Sequence, residues 1–115
     1  MEVRQAAEKL LKVSPSVRVV TICDMNGKVL FSERSKRVKM LLSKQESKMS
    51  LQSAARSWKV RRKLERKLGT CKYVVAEYGN VKRITMPAGR NHLLFITTTS
   101  SLDHKKVVNR ARTFR

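Results

Sequence analysis

The chain has little of what active sites are usually built from. Two cysteines, Cys23 and Cys71, occur in 115 residues, and they form no C-x-x-C pair. A disulfide framework or a zinc site of ordinary spacing is therefore excluded. Buried free thiols are the expectation, with a disulfide or redox role as the alternative. No cysteine or carboxylate cluster surrounds either histidine, His92 or His104. The four glycines, Gly27, Gly69, Gly79 and Gly89, are dispersed, which excludes a phosphate-cradling loop. Six aromatics, Phe31, Trp58, Tyr73, Tyr78, Phe95 and Phe114, are scattered, most of them where a core residue belongs. They do not form the paired platform on which single-strand binders stack bases. No apolar run approaches the roughly 20 residues of a membrane span. The segment MEVRQAAEKLLKV is charged throughout and has no apolar stretch of signal-peptide type. A cytoplasmic protein without catalytic machinery, metal or cofactor is expected.

Negative charge is also scarce. Eight Asp and Glu stand against 27 Lys and Arg, a formal net charge of +19. Self-repulsion at that charge costs stability, and solubility needs only about 2–8 net charges. The excess therefore points to an anionic partner. Nucleic acid leads, followed by an acidic protein or an anionic membrane surface. A hydrophobic content of 41% lies within the globular range, so the charge does not imply disorder. The length fits one domain, residues 1–115.

Val3, Ala6, Ala7, Leu10 and Leu11 recur at helical spacing, which predicts a helix over about 2–13. Ser14-Pro15-Ser16 ends it, because the residue before proline avoids the helical region. VRVVTIC (Val17–Cys23) is β-branched and almost wholly apolar, a strand covered on both faces. Met25-Asn26-Gly27-Lys28 follows, and Asn-Gly here predicts a tight hairpin with positive φ at both central residues. Lys28–Ser32 then pairs back. Ser43-Lys44-Gln45-Glu46 is a capping box, and Gly69 suits a left-handed cap, so a helix of about 25 residues is expected between them. Three more strands are predicted at Cys71–Tyr78, Val81–Pro87 and His92–Thr98, the last central because Leu93–Ile96 is continuously apolar. A weaker capping box at Ser100–Asp103 opens a final helix with Val107, Val108, Ala111 and Phe114 on its apolar side. The order is α-β-β-α-β-β-β-α. The fold class is α/β in the α+β sense: a five-stranded antiparallel sheet with the long helix on one face and the two terminal helices on the other.

The long helix carries the strongest functional signal. Wound at about 100° per residue, Lys44, Lys48, Arg56, Lys59, Arg62, Lys63, Arg66 and Lys67 fall on one side. Leu51, Ala54, Trp58, Val60, Leu64 and Leu68 occupy the rest. A basic stripe on a rigid rod can follow phosphates, so these eight cations are the candidate nucleic-acid contacts, for DNA or structured RNA. Only Glu46 and Glu65 can neutralise them within the helix. Arg34, Lys36, Arg37 and Lys39 in the preceding connector extend the patch, and Lys105, Lys106, Arg110, Arg112 and Arg115 are a weaker set. Lys82 or Arg83 is placed to meet Glu77 across a hairpin. The helix is longer than one small core needs, so part of its apolar arc is expected to face a second subunit. Attachment to anionic lipid ranks last, for want of an exposed apolar stripe beside the charge.

The order of elements resembles the roadblock (dynein light chain-type) domain, a relative of profilin-like and longin-like folds. VRVVTICDMNGKVLFS resembles its opening hairpin, and YVVAEYGNVKRITMP with HLLFITTT its three-strand meander. Lys67-Leu68-Gly69, the pair Glu77-Tyr78 through Pro87, and Leu93–Thr97 look most like an uncharacterised archaeal family of this kind. The resemblance covers about residues 10–112. It implies a homodimer or heterodimer in which the long helices pack side by side. It also implies a platform or regulator for a small GTPase or a signalling assembly, rather than an enzyme. The charge departs from the usual roadblock scaffold, and on that ground nucleic acid is placed first and the GTPase platform second.

Overall fold

A computed structural model describes residues 3–36 and 38–113. Arg37, Phe114 and Arg115 lie outside the described residues. The elements are α1 (Val3–Leu11), β1 (Val17–Asp24), β2 (Val29–Arg34), α2 (Lys44–Leu68), β3 (Val74–Glu77), β4 (Val81–Pro87), β5 (His92–Thr99) and α3 (His104–Arg112). The strands form one antiparallel sheet in the order β2-β1-β5-β4-β3. The expected α+β architecture is thus present, with the apolar strand β5 in the middle.

Strand alternation explains the layering. On one face Val20, Ile22, Ile84, Met86, Leu94 and Ile96 pack with Ala7 and Leu10 of α1 and Val107, Val108 and Ala111 of α3. On the other face Cys23, Leu93 and Phe95 lie under Leu51, Ala55 and Trp58 of α2. Neighbouring residues of β5 therefore serve opposite cores, which is why this strand reads as an unbroken apolar run. Trp58 is fully buried, and its indole N–H donates to the Thr85 hydroxyl at 2.9 Å.

Local chemistry places α2. Ser43 is its N-cap: its hydroxyl accepts from the Glu46 amide at 3.1 Å, and the Glu46 carboxylate accepts from the Ser43 amide at 2.9 Å. That reciprocal pair satisfies two otherwise orphaned donors. The helix stops at Gly69, whose amide donates to the Glu65 carbonyl at 2.9 Å. Gly69 has φ +86 and ψ 173, outside the left-handed helical basin expected for this cap, in a region essentially restricted to glycine.

Several local expectations differ from the structure. Asn26 does not adopt positive φ, since Gly27 alone does so in the β1–β2 turn. Asp24 takes over the turn, its Oδ1 accepting from the Asn26 and Lys28 amides at 2.8 and 3.0 Å. The loop is one residue longer than a two-residue hairpin, and the register shifts between Ile22 and Cys23. Arg34 belongs to β2 rather than to the connector, and Cys71 precedes β3 rather than lying in it. The last helix is capped by Asp103, which accepts from the Lys105 amide at 3.0 Å, so the box at Ser100 is not formed.

Candidate interaction surface

α2 makes a smaller footprint than its apolar arc suggests. Its buried residues are Leu51, Ala55 and Trp58, all in the first four turns. One heptad further along that meridian stand Arg62 and Glu65, both half-buried. A stripe that turns charged cannot continue into a core, and no residue of α2 beyond Trp58 is buried. Val60, Leu64 and Leu68 belong to the apolar arc of which part is expected to face a second subunit. They are 56%, 46% and 78% exposed, and Met49 is 59% exposed. At about 100° per residue Met49, Val60 and Leu64 lie roughly opposite the buried stripe, and Leu68 lies to one side of it. An exposed apolar stripe therefore does accompany the charge.

The cations flank it. Lys44, Lys48, Arg56, Lys59, Lys63, Arg66 and Lys67 are exposed as expected, whereas Arg62 is half-buried on the sheet-side meridian and so stands apart from them. Lys59 is tethered, its ammonium donating to the Asn26 side-chain oxygen at 3.1 Å. Arg61, absent from the sequence-based set, lies over the Trp58 ring at 5.3 Å and joins the stripe to the core. From Lys44 to Lys67 the charge extends over about 35 Å at 1.5 Å per residue. The molecule's longest dimension is 42 Å.

The other basic sets separate from one another. Arg34, Lys36 and Lys39 are exposed around the start of the β2–α2 connector, on the way to Lys44 and Lys48. Lys105, Lys106, Arg110 and Arg112 are exposed on α3, which packs on the opposite face of the sheet from α2. They do not extend the α2 patch. Lys82 lies opposite Glu77, with Nζ 3.5 Å from the carboxylate and 2.9 Å from the Leu102 carbonyl. It is a structural cation. Arg83 points to the other face, where it donates to the Ser50 hydroxyl of α2.

Among the described residues three titratable groups are shifted from their ordinary values. Burial pushes the Cys23 thiol up to about 11, and the neighbouring Asp24 charge adds to the shift. The Lys28 and Asn26 amides hold Asp24 below its ordinary range, and the bonds to Ser43 do the same for Glu46. Both carboxylates are occupied by turn and cap. Among the described residues no three His, Cys, Asp or Glu side chains converge as metal ligands, and no helix is long and apolar enough to cross a membrane.

Known structures share this arrangement. No protein-family model and no curated protein sequence matches the chain. Among solved structures, MglB in a tetrameric arrangement superposes with a TM-score of 0.79 at 16% identity, over 96% of this chain and 79% of that one. A roadblock/LC7 domain from Streptomyces avermitilis gives 0.74 at 13% identity, over 98% and 91%. Profilin II of Acanthamoeba castellanii gives 0.60 at 12% identity, over 95% and 90%. The structural neighbours are thus roadblock/LC7 and profilin proteins, as the motifs imply. At such low identity the likeness establishes the fold.

Proposed function

We propose that this chain is a non-catalytic interaction module that self-associates through the solvent face of α2 and engages an acidic protein of the small-GTPase kind. One observation carries the reading: the apolar stripe Met49, Val60, Leu64 and Leu68 lies exposed and flanked by cations. A surface made only to follow phosphates has no use for it. A protein interface does, with an apolar centre and a charged rim. A neighbour of the same fold, MglB, is recorded in a tetrameric arrangement, which supports self-association. The roadblock resemblance supports the GTPase as partner class. The molecule's charge complements an acidic surface and speeds encounter with it.

Nucleic acid is the second reading, favoured by the seven exposed α2 cations, none with a carboxylate partner among the described residues. A salt titration separates the two. Nuclease-treated protein is titrated with duplex DNA and structured RNA, and separately with purified acidic GTPases in both nucleotide states. Negligible nucleic-acid binding at about 150 mM salt, with saturable GTPase binding, supports the protein platform. Submicromolar nucleic-acid binding with a log–log salt slope near −5, as about six neutralised phosphates require, reverses the order.

A further inference from the structure

Because α2 covers only part of its face of the sheet, the β2–α2 connector must cover the rest. Val38, Met40 and Leu42 pass over that end and roof a cavity of about 230 Å³. Its floor is two ladder rows. One runs Val19–Thr97–Arg83 across β1, β5 and β4, and the next runs Ser32–Thr21–Phe95 across β2, β1 and β5. Thr21 and Ser32 hydroxyls are 2.8 Å apart there.

Two arginines, Arg18 and Arg83, line the cavity, and each is delivered there by an identifiable device. The register of β1 against β5 shifts between Val17 and Val19. Val17 and Val20 are both buried in the core beneath α1 and α3. The irregularity therefore turns Arg18 as well as Val19 toward α2, where alternation alone would send one away. Arg18 donates to the Lys39 carbonyl at 3.2 Å, and so pins the roof to the floor. Arg83 is held from the other side by Ser50. Both are half-buried. Among the described residues each donates to one protein acceptor, out of the five N–H groups it carries. Neither has a carboxylate partner among the described residues, and no Asp or Glu lines the cavity. Partly desolvated cations without a counter-charge are costly, and an anion relieves that cost.

We propose that this cavity is a binding site for a small amphipathic carboxylate. Its apolar body lies against Val19, Phe95, Leu51 and Leu42, and its carboxylate is received by Arg18 and Arg83. The volume falls below the roughly 300–1,000 Å³ of sites for drug-sized ligands, which restricts the occupant to a short acyl or single-ring acid. The cavity shares Met40, Leu42, Ser47 and Leu51 with a wider cleft bordered by Lys28, Lys44 and Lys48, a cationic approach for such an anion. The site is independent of what the solvent face of α2 binds.

Calorimetric titration of the full chain with octanoate and with 1-octanol tests this. Octanoate is expected to saturate with Kd below about 1 mM and to bind at least about tenfold more tightly than the alcohol. Arg83→Met and Arg18→Met each weaken octanoate by about tenfold or more while leaving the alcohol nearly unchanged. Thr97→Met fills the cavity while retaining both guanidinium groups, and abolishes binding of both probes. This variant decides the matter where an arginine variant does not fold. Lys63→Gln, on the far side of α2, has no effect. Equal affinity for acid and alcohol, undiminished octanoate binding in folded Thr97→Met, or equal weakening by Lys63→Gln would each overturn the proposal.

Discussion

Gly27 allows the β1–β2 turn to approach the backbone of α2 closely. Its φ is +84, and a Cβ built there would lie 2.9 Å from the Gln52 backbone nitrogen and Cα. The β1–β2 turn thus sits directly on α2. Gly69 has nearly the same φ, +86, but open space around it. The pair separates two costs. Gly69→Ala pays backbone strain, about 1–3 kcal/mol. Gly27→Ala pays that and a clash with a helix backbone that cannot yield. Thermal melts should show the larger loss at Gly27, with about 4 °C for each kcal/mol. The cysteines give a second expectation. With its thiol held near 11 by burial, Cys23 should resist alkylation at neutral pH in the folded chain, leaving half-buried Cys71 to react first; mass spectrometry of labelled peptides reads this. A third concerns acid. Asp24 and Glu46 have folded pKa values below their ordinary 3.8 and 4.5, so the unfolded chain binds these protons more readily. Their contribution is whole above those ordinary values and is lost as pH falls through the lower folded ones. Denaturation midpoints should fall in that window, and Ser43→Ala should reduce the Glu46 part.

At the scale of elements, α2 divides into a part that holds the fold and a part that does not. Trp58→Ala is expected to cost about 3–5 kcal/mol, as for other large buried aromatics. Val60→Gln, Leu64→Gln and Leu68→Gln should leave the melting curve within about 0.5 kcal/mol per substitution. In sedimentation equilibrium the same triple variant should be monomeric where the parent self-associates; a parent that stays monomeric at high concentration would defeat self-association through this face. The elements themselves were readable from local signals. Val17–Cys23 is β-branched and nearly all apolar, Leu93–Ile96 is an unbroken apolar run, and Ser43 and Gly69 mark the ends of α2. Which part of the apolar arc is buried was not readable, because Leu51 and Leu64 are the same residue and only their different meridians on α2, about 140° apart, separate their fates. The exposed cations of α2 were legible as a set except for Arg62, whose meridian coincides with that of Leu51 and Ala55. The cavity was invisible in the sequence. It depends on a register shift beside Arg18 and on the path of a connector, neither of which leaves a periodic trace.

For the molecule as a whole, +19 charges on a body 42 Å long set the terms of both stability and encounter. The Debye length falls from about 30 Å at 0.01 M salt to about 10 Å at 0.1 M, so added salt should relieve much of the repulsion. The melting temperature is expected to rise between those conditions; a flat response would mean that the charges are already spaced widely enough to be harmless. Association with an anionic partner should move the other way and slow as salt rises. Glu replacement of Arg62, Lys63, Arg66 and Lys67 should abolish that association while preserving the circular dichroism spectrum. Retained binding would place the interface elsewhere.

The C-terminal turns of α2 also give the protein a reporter of its own occupancy. From Arg62 to Leu68 no side chain is buried, and like charges face one another one turn apart at Arg62 and Arg66 and at Lys63 and Lys67. Such a segment remains helical on propensity and its Gly69 stop alone, so its amides should exchange with deuterium far faster than those around Trp58. A second copy, an acidic protein or a nucleic acid lying along this segment would damp the opening. Slowed exchange confined to these turns would then identify, peptide by peptide, which partner has arrived.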